Sequence, residues 1–335
     1  MNKQASKHFA VSIALLAMLV SASLSRAQVR LASKFPGKRA ASSAAQAANR
    51  QMQTPGSPSY TYTLLNYPGQ LATYADGINK GAATSKVAIV GGYGTETEGG
   101  FLARVSGTKT VTESYKTVDV PHATQSWASV INDLGQIVGV YIDSSGNYHG
   151  YEESGGKFTE INVPFAGAFD TLAVSINNSG EIVGDYTAAS GEGYGFVLIG
   201  GTYTSINYPG ATYTSVGDVN NNGNIVGWYN DSSGVSHGFL LSGGTYTAID
   251  FPGATLTEAT GINDSGDIVG GYCTTSECAE TLEGGQGFVL SGGTFTSIAI
   301  PNEFLTAATD INNNGVIVGW YQDAAGVIGS FMATP

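Results

Sequence analysis

The stretch Ala259-Thr-Gly-Ile-Asn-Asp-Ser-Gly-Asp-Ile-Val-Gly-Gly-Tyr272 decides the fold, because its pattern returns along the chain. Six times an Ile-Asn or Val-Asn pair (Ile78-Asn79, Ile131-Asn132, Ile176-Asn177, Val219-Asn220, Ile262-Asn263, Ile311-Asn312) leads to an Ile-Val-Gly run. The glycines of that run are Gly91, Gly139, Gly184, Gly227, Gly270 and Gly319, spaced 43 to 49 residues apart. A second element precedes each core, as in Gly201-Thr-Tyr-Thr-Ser-Ile-Asn-Tyr-Pro209, and a third follows it, as in His237-Gly-Phe-Leu-Leu241. Self-similarity at a fixed period of this length marks a repeat architecture.

Each repeat reads as four short strands. The segment Ala259–Ile262 is small-residue strand, and Asn263-Asp-Ser-Gly266 is a turn. Ile268–Tyr272 is β-branched strand, Gly238–Leu241 is a third strand, and Ser242-Gly-Gly244 makes a tight hairpin into Thr245–Ile249. Pro252, which cannot donate to a ladder, ends the unit. No segment shows helical spacing with a cap. Four strands in about 45 residues is the size of a propeller blade, about twice a β-helix coil.

The phase of the repeats predicts how the ring closes. Tyr60-Thr-Tyr-Thr-Leu-Leu-Asn-Tyr-Pro68 is the last strand of a repeat that lacks its first three. Gly329-Ser-Phe-Met332 is the third strand of a repeat that lacks its fourth. Residues 60–68 are therefore expected to form the outer strand of the last blade. The expected fold is all-β: one six-bladed β-propeller of four-stranded blades spanning 60–335, without the atypical caps of an open array.

The consensus A-x-x-I-N-x-x-G-x-I-V-G-x-Y followed by H-G-F-L resembles the HAF-repeat family of extracellular proteins, over essentially residues 60–332. The signature tripeptide reads His149-Gly150-Tyr151 and His237-Gly238-Phe239, with glycine for the middle alanine, and other repeats lose the histidine. The resemblance implies export and a repeat fold. It carries no catalytic residue.

The N-terminus supports export on its own. Lys3 and Lys7 precede an apolar run from Phe9 to Val20, and Ser25-Arg26-Ala27 offers small residues at −3 and −1, so residues 1–27 read as a signal peptide. Residues 28–59, rich in Ala, Ser and Gln, basic and free of acidic residues, read as a disordered linker. From residue 60 onward six basic residues stand against all 26 acidic ones, a formal charge of −20. Such a domain repels nucleic acid and anionic membrane, and no later apolar run predicts a membrane span. A soluble, secreted monomer is expected. Charged residues make up only 12% of the chain, where soluble domains average about 25%. Cys273 and Cys278, with four residues between them in one loop, are expected to form a local disulfide in an oxidising compartment.

Motifs that suggest chemistry recur mostly at the repeat period. Asp218-Val-Asn-Asn-Asn-Gly223 and Asp310-Ile-Asn-Asn-Asn-Gly315 match the first half of a calcium loop, with Asp218, Asn220, Asn222, Asp310, Asn312 and Asn314 as ligands. The twelfth position is Tyr229 or Tyr321 rather than a carboxylate, so an Asn/Gly hairpin is the stronger reading and calcium the weaker. Apart from calcium, no cofactor is indicated. His149 and His237 share one repeat position, which favours a structural role. No nucleophile elbow or zincin motif appears, and the adjacent carboxylates Glu152 and Glu153 would face opposite sides of a strand, so no residue is assigned to catalysis.

The Pro-Gly-Ala loops between blades and the Asp-Ser-Ser-Gly loops within them should share one rim. There the repeats differ, offering Tyr74, Trp127, Phe169, Tyr213, Leu256 and Phe304, together with Trp228 and Trp320 at a position that other repeats fill with Val140, Asp185 or Gly271. These eight are the candidate ligand contacts, with packing between blades as the alternative. The expected function is non-catalytic binding of an extracellular glycan or protein. A polysaccharide hydrolase or lyase, and a calcium-stabilised surface protein, are the alternatives.

Overall fold

The computed structural model of the protein describes residues 50–51, 60–81, 86–94, 99–106 and 111–335. The signal peptide, and the linker apart from Arg50–Gln51, lie outside the described residues. Six antiparallel blades form a ring, a six-bladed β-propeller. Their inner strands are Thr73–Ile78, Gln125–Ile131, Phe169–Ile176, Tyr213–Val219, Leu256–Ile262 and Leu305–Ile311, numbered here as blades 1 to 6. In blade 4 the remaining strands are Ile225–Asn230, Ser236–Ser242 and Thr245–Ile249, from second to outermost, and the other blades follow suit.

The chain closes the ring as its phase predicts. Thr61–Leu65 is the outer strand of blade 6, pairing Thr61 with Thr334 and Leu65 with Ser330. Arg50–Gln51 adds a short pairing outside it, against Tyr62 and Thr61, within the segment read as linker.

The repeat signature is a packing unit. A Cβ on Gly270 would stand 2.0 Å from the Glu258 carbonyl oxygen and 2.8 Å from the Phe288 ring, so only glycine fits between the inner strand and the third. The third-strand aromatic lies opposite this glycine in register in all six blades: Phe101, Tyr151, Phe196, Phe239, Phe288 and Phe331. All six are fully buried, each contributing about 2 kcal/mol of apolar burial. The aromatic of the H-G-F/Y signature is therefore core.

The asparagine after the inner strand serves its own turn and the next blade. Asn220 Oδ1 accepts the Asn222 and Asn224 N–H groups, both at 3.0 Å, while its Nδ2 donates to Asn263 O in blade 5. Asn132, Asn177 and Asn263 do the same toward blades 3, 4 and 6. The following residue completes a belt. Gly81 N–H donates to Asp133, Asp133 to Asn178, Asn178 to Asn221, Asn221 to Asp264, Asp264 to Asn313, and Asn313 to Lys80 O. These inter-blade bonds circle one face, the turn face. The opposite loop face carries the Pro-Gly-Ala and Asp-Ser-Ser-Gly loops.

Two features depart from the sequence reading. Every inner strand carries a bulge, as between Val216 and Asp218 or Ala308 and Asp310, which breaks strict alternation. Within the loop after the second strand of blade 5, Ser276–Thr281 forms one helical turn, although no helix was expected. Thr275 caps it by accepting the Cys278 N–H, and Leu282 ends it in the left-handed region. Cys278, within the turn, is disulfide-bonded to Cys273.

Candidate functional site

The loop face is anchored by a hydroxyl within the first three residues of every inner strand. Thr73, Ser126, Thr171, Thr214, Thr257 and Thr306 each accept a backbone N–H from the loop that enters their blade, from Tyr67, Val120, Val163, Tyr208, Phe251 and Ile300. Distances run from 2.9 Å at Thr73 to 3.2 Å at Thr171. All six hydroxyl residues are buried, so each satisfies a loop donor that water reaches poorly.

Above these anchors stands a circle of tyrosines. The last residue of the consensus is Tyr93, Tyr141, Tyr186, Tyr229, Tyr272 and Tyr321, one per blade at the loop end of the second strand. Four are half-buried, while Tyr186 and Tyr272 are buried. Three stack on the aromatic of the incoming loop: Tyr67 on Tyr93 at 4.1 Å, Tyr208 on Tyr229 at 3.5 Å, and Phe251 on Tyr272 at 3.7 Å. Their hydroxyls meet polar groups on the blade flank, Tyr141 donating to Glu160, Tyr186 meeting Ser205, and Tyr272 meeting Gln286 and Ser297.

The two histidines stack on two of the six tyrosines. His149 lies against Tyr141 with its ring nitrogens on Asn162 and Asp143, and His237 lies against Tyr229 with Nδ1 2.8 Å from Asp250. Each is held at one repeat position by local acceptors.

One layer toward the axis, large and small residues alternate. The register pairs Tyr74 with Gly92, Trp127 with Val140, Leu172 with Asp185, Ser215 with Trp228, Glu258 with Gly271, and Ala307 with Trp320. Where the inner strand is small the second strand brings tryptophan. This corrects the expectation for half of the rim candidates: Trp228, Trp320, Tyr74 and Trp127 are only 2, 3, 5 and 6% exposed, because they fill this layer between blades. Tyr213 and Leu256 are half-buried, and Phe169 and Phe304 remain on the open face, 50 and 40% exposed.

Asp185 and Glu258 belong to the same layer. Asp185 of blade 3 accepts the Ser215 hydroxyl and the Val216 N–H of blade 4, and burial pushes its carboxyl up to about 7. Burial likewise pushes Glu258 up to about 8, and its Oε2 makes no hydrogen bond.

The six residues expected to ligate calcium do not converge. Asn220 and Asn312 cap their own turns, accepting Asn222 N–H and Asn314 N–H, while Asn222 Nδ2 donates to Asp264 O. Asp218 and Asp310 turn to the axis, where the Lys80 ammonium reaches both, at 2.7 and 2.5 Å, and the Ile311 carbonyl at 3.1 Å. Asp218 also accepts from Ser175 and from Ile262 N–H, and Asp310 from Ile78 N–H. Burial opposes the charge on Lys80, but the two carboxylates outweigh it and hold its pKa above that of an ordinary lysine. Among the described residues no group of three or more His, Cys, Asp or Glu is placed to hold a metal. Lys80 was invisible as a functional residue. Its only signal is a basic side chain where the other repeats carry Asp133, Asn178, Asn221, Asp264 and Asn313.

At the junction of blades 5 and 6 the loop face dips into a small cavity of about 20 Å³, walled by Leu256, Tyr272, Leu282, Leu305 and Trp320. The disulfide-stapled turn forms one side of it.

No protein-family model and no curated protein matches the sequence. Solved structures match it in shape. The fucose-specific lectin from Aleuria aurantia is 14% identical with a TM-score of 0.51, over 79% of this chain and 93% of that one. AofleA from Arthrobotrys oligospora is 13% identical with a TM-score of 0.51, over 83 and 88% of the two chains. Trypanosoma rangeli sialidase is 8% identical with a TM-score of 0.52, over 79% of this chain and 55% of that one. The likeness is one of fold.

Proposed function

We propose that the protein is an exported, non-catalytic propeller that binds neutral glycans on its loop face, and that it belongs among the HAF-repeat proteins. The circle of six tyrosines carries this reading. Sugar rings present apolar C–H faces edged by hydroxyls, and a half-buried aromatic beside polar flank groups offers the matching surface. Here that surface recurs in four of the six blades, at Tyr93, Tyr141, Tyr229 and Tyr321, with Glu160 already holding the Tyr141 hydroxyl. The formal charge of −20 on residues 60–335 favours uncharged ligands over uronates or sulfated chains. One fold neighbour supports the class, being named as a fucose-specific lectin. Export rests on the basic, apolar and small-residue sections of residues 1–27.

A glycan array probed with the purified mature protein tests the reading. Retention on neutral glycans, weakened when Tyr229 or Tyr93 is replaced by alanine, is expected. No retention on any glycan rejects it.

A further inference from the structure

The tyrosine circle is not uniform, because the residue facing each tyrosine across the ladder to the third strand changes from blade to blade. Opposite Tyr93 and Tyr321 stand Gly99 and Gly329, where a Cβ would lie 2.5 and 2.6 Å from the tyrosine hydroxyl oxygen. Opposite Tyr186 and Tyr272 stand Tyr194 and Gln286. At blades 2 and 4 the partner is a histidine, His149 opposite Tyr141 and His237 opposite Tyr229.

Each histidine bridges two segments that the ladder leaves separate. Asp143 Oδ1 shapes the loop after the second strand of blade 2 by accepting the Ser145 and Asn147 N–H groups, at 2.7 and 2.9 Å, and its Oδ2 lies 3.2 Å from His149 Nε2. His149 Nδ1 lies 3.1 Å from Asn162 Oδ1, just beyond the outer strand. The Asn162 amide is oriented by donating from Nδ2 to Glu160, so its oxygen faces the imidazole. Both ring nitrogens therefore face acceptors. An imidazolium donates to both, whereas a neutral imidazole has one N–H and must set a lone pair against Asn162 or the Asp143 carboxylate. Blade 4 repeats the arrangement. Asp231 Oδ1 accepts the Ser233 and Val235 N–H groups, His237 Nδ1 lies 2.8 Å from Asp250, and Nε2 lies at ion-pair distance, 3.7 Å, from Asp231 Oδ2. Blade 6 supplies the contrast: Asp323 shapes the same loop through the Ala325 and Val327 N–H groups, but Gly329 takes the histidine position.

The surroundings suit a proton-dependent contact. His149 faces Asp143, Glu160 at 4.0 Å and the Tyr141 ring, while His237 faces Asp231, Asp250 and the Tyr229 ring. The acids pair with a protonated ring, and a tyrosine face attracts a cation. Loop N–H groups, led by those of Asn147 and Val235, hold Asp143 and Asp231 below the usual carboxylate range. Both aspartates thus stay charged from about pH 5 to 8, the range in which histidine changes charge. With side chains 20 and 26% exposed, the two rings exchange protons with water.

We propose that His149 and His237 set the pH dependence of glycan binding at blades 2 and 4: the protonated ring clamps the loop after the second strand to the end of the outer strand and braces the tyrosine beside it, and loss of the proton opens the clamp. The proposal rests on the glycan-binding reading and adds its regulation. Binding strengthens as the medium acidifies.

Two readouts on the mature protein make the test. In NMR titrations the Ser145, Asn147, Ser233 and Val235 amide signals should move with the same midpoints as the His149 and His237 ring signals, while Ala325 and Val327 do not follow them. Retention on neutral glycans should fall about tenfold between pH 5 and pH 8, the equivalent of one pKa unit of linkage. The double variant His149→Gln, His237→Gln, which keeps a donor but cannot titrate, should flatten that profile. Loop amides that stay still while the histidines titrate, retention that is level across the range, or a double variant with the parent's profile overturns the proposal and leaves the glycan reading standing. Absence of retention at every pH overturns both.

Discussion

Lys80 and Asp218 belong to opposite blades of the ring, yet Lys80 Nζ lies 2.7 Å from Asp218 Oδ2. The contact is made on the axis, where Asp310 of blade 6 shares the same ammonium. One cation thus holds three of six blades from the inside, and both acids also accept N–H groups from the blade that follows their own.

Removing that cation leaves two carboxylates buried without a counter-charge. Lys80→Met should cost about 3–5 kcal/mol, a fall in melting temperature of roughly 10 °C in a domain of this size. Adding Asp218→Asn and Asp310→Asn should recover part of the loss. A calorimetric scan of the single and triple variants checks both statements, and an unchanged single variant would show the axial contact to be dispensable.

The buried acids make stability depend on pH in an unusual direction. Burial raises Asp185 to about 7 and Glu258 to about 8, and holds Asp76 well above an ordinary aspartate. Between the unfolded carboxyl values of about 4 and these raised values, the folded protein holds protons that the unfolded chain has released, so stability falls as pH rises. The melting temperature should therefore be higher near pH 5 than near pH 8. Asp185→Asn should flatten the slope between about pH 4 and 7. A profile that rises toward pH 8 would contradict the assignment.

Thr214→Val keeps the shape of a loop anchor but strands the Tyr208 N–H that Thr214 Oγ1 accepts at 3.0 Å. A loss of about 1–2 kcal/mol in urea unfolding is expected. The Tyr208–Tyr229 stack shares that loop, so glycan retention at blade 4 should weaken as well. A variant that unfolds like the parent would mean that water satisfies the N–H.

Deleting residues 60–68 should lower the melting temperature and expose the Ile328–Thr334 edge to intermolecular pairing. Thr63→Pro, opposite Met332 in the ladder, should reproduce part of this effect without shortening the chain. Light scattering on heating separates the two consequences.

Much of the architecture was readable from the repeat. The Ile-Val-Gly run, the Asn turn and the Gly-Gly hairpin each carry a backbone requirement, and the missing fourth strand pointed to Tyr60–Pro68. What escaped the reading depends on neighbours in space. The bulges insert one unpaired residue into each inner strand, so Asp218 and Asp310 reach the axis rather than their own turn. The tryptophans at 228 and 320 looked like rim residues because their repeat position varies. In the fold that variation compensates Ser215 and Ala307 across the ladder. The tyrosine circle was overlooked for the opposite reason: a residue present in all six repeats reads as consensus, although its place at a strand end puts it on the open face.

The seam between Thr61 and Thr334 joins residues 273 positions apart, which raises the contact order of the whole fold. A nascent chain can form blades 1 to 5 as they emerge, but any chain that stops short of Ile328 offers Thr61–Leu65 no blade to join. The ring consequently latches only once the full length is free, and its slowest folding step is expected to be the meeting of the two ends.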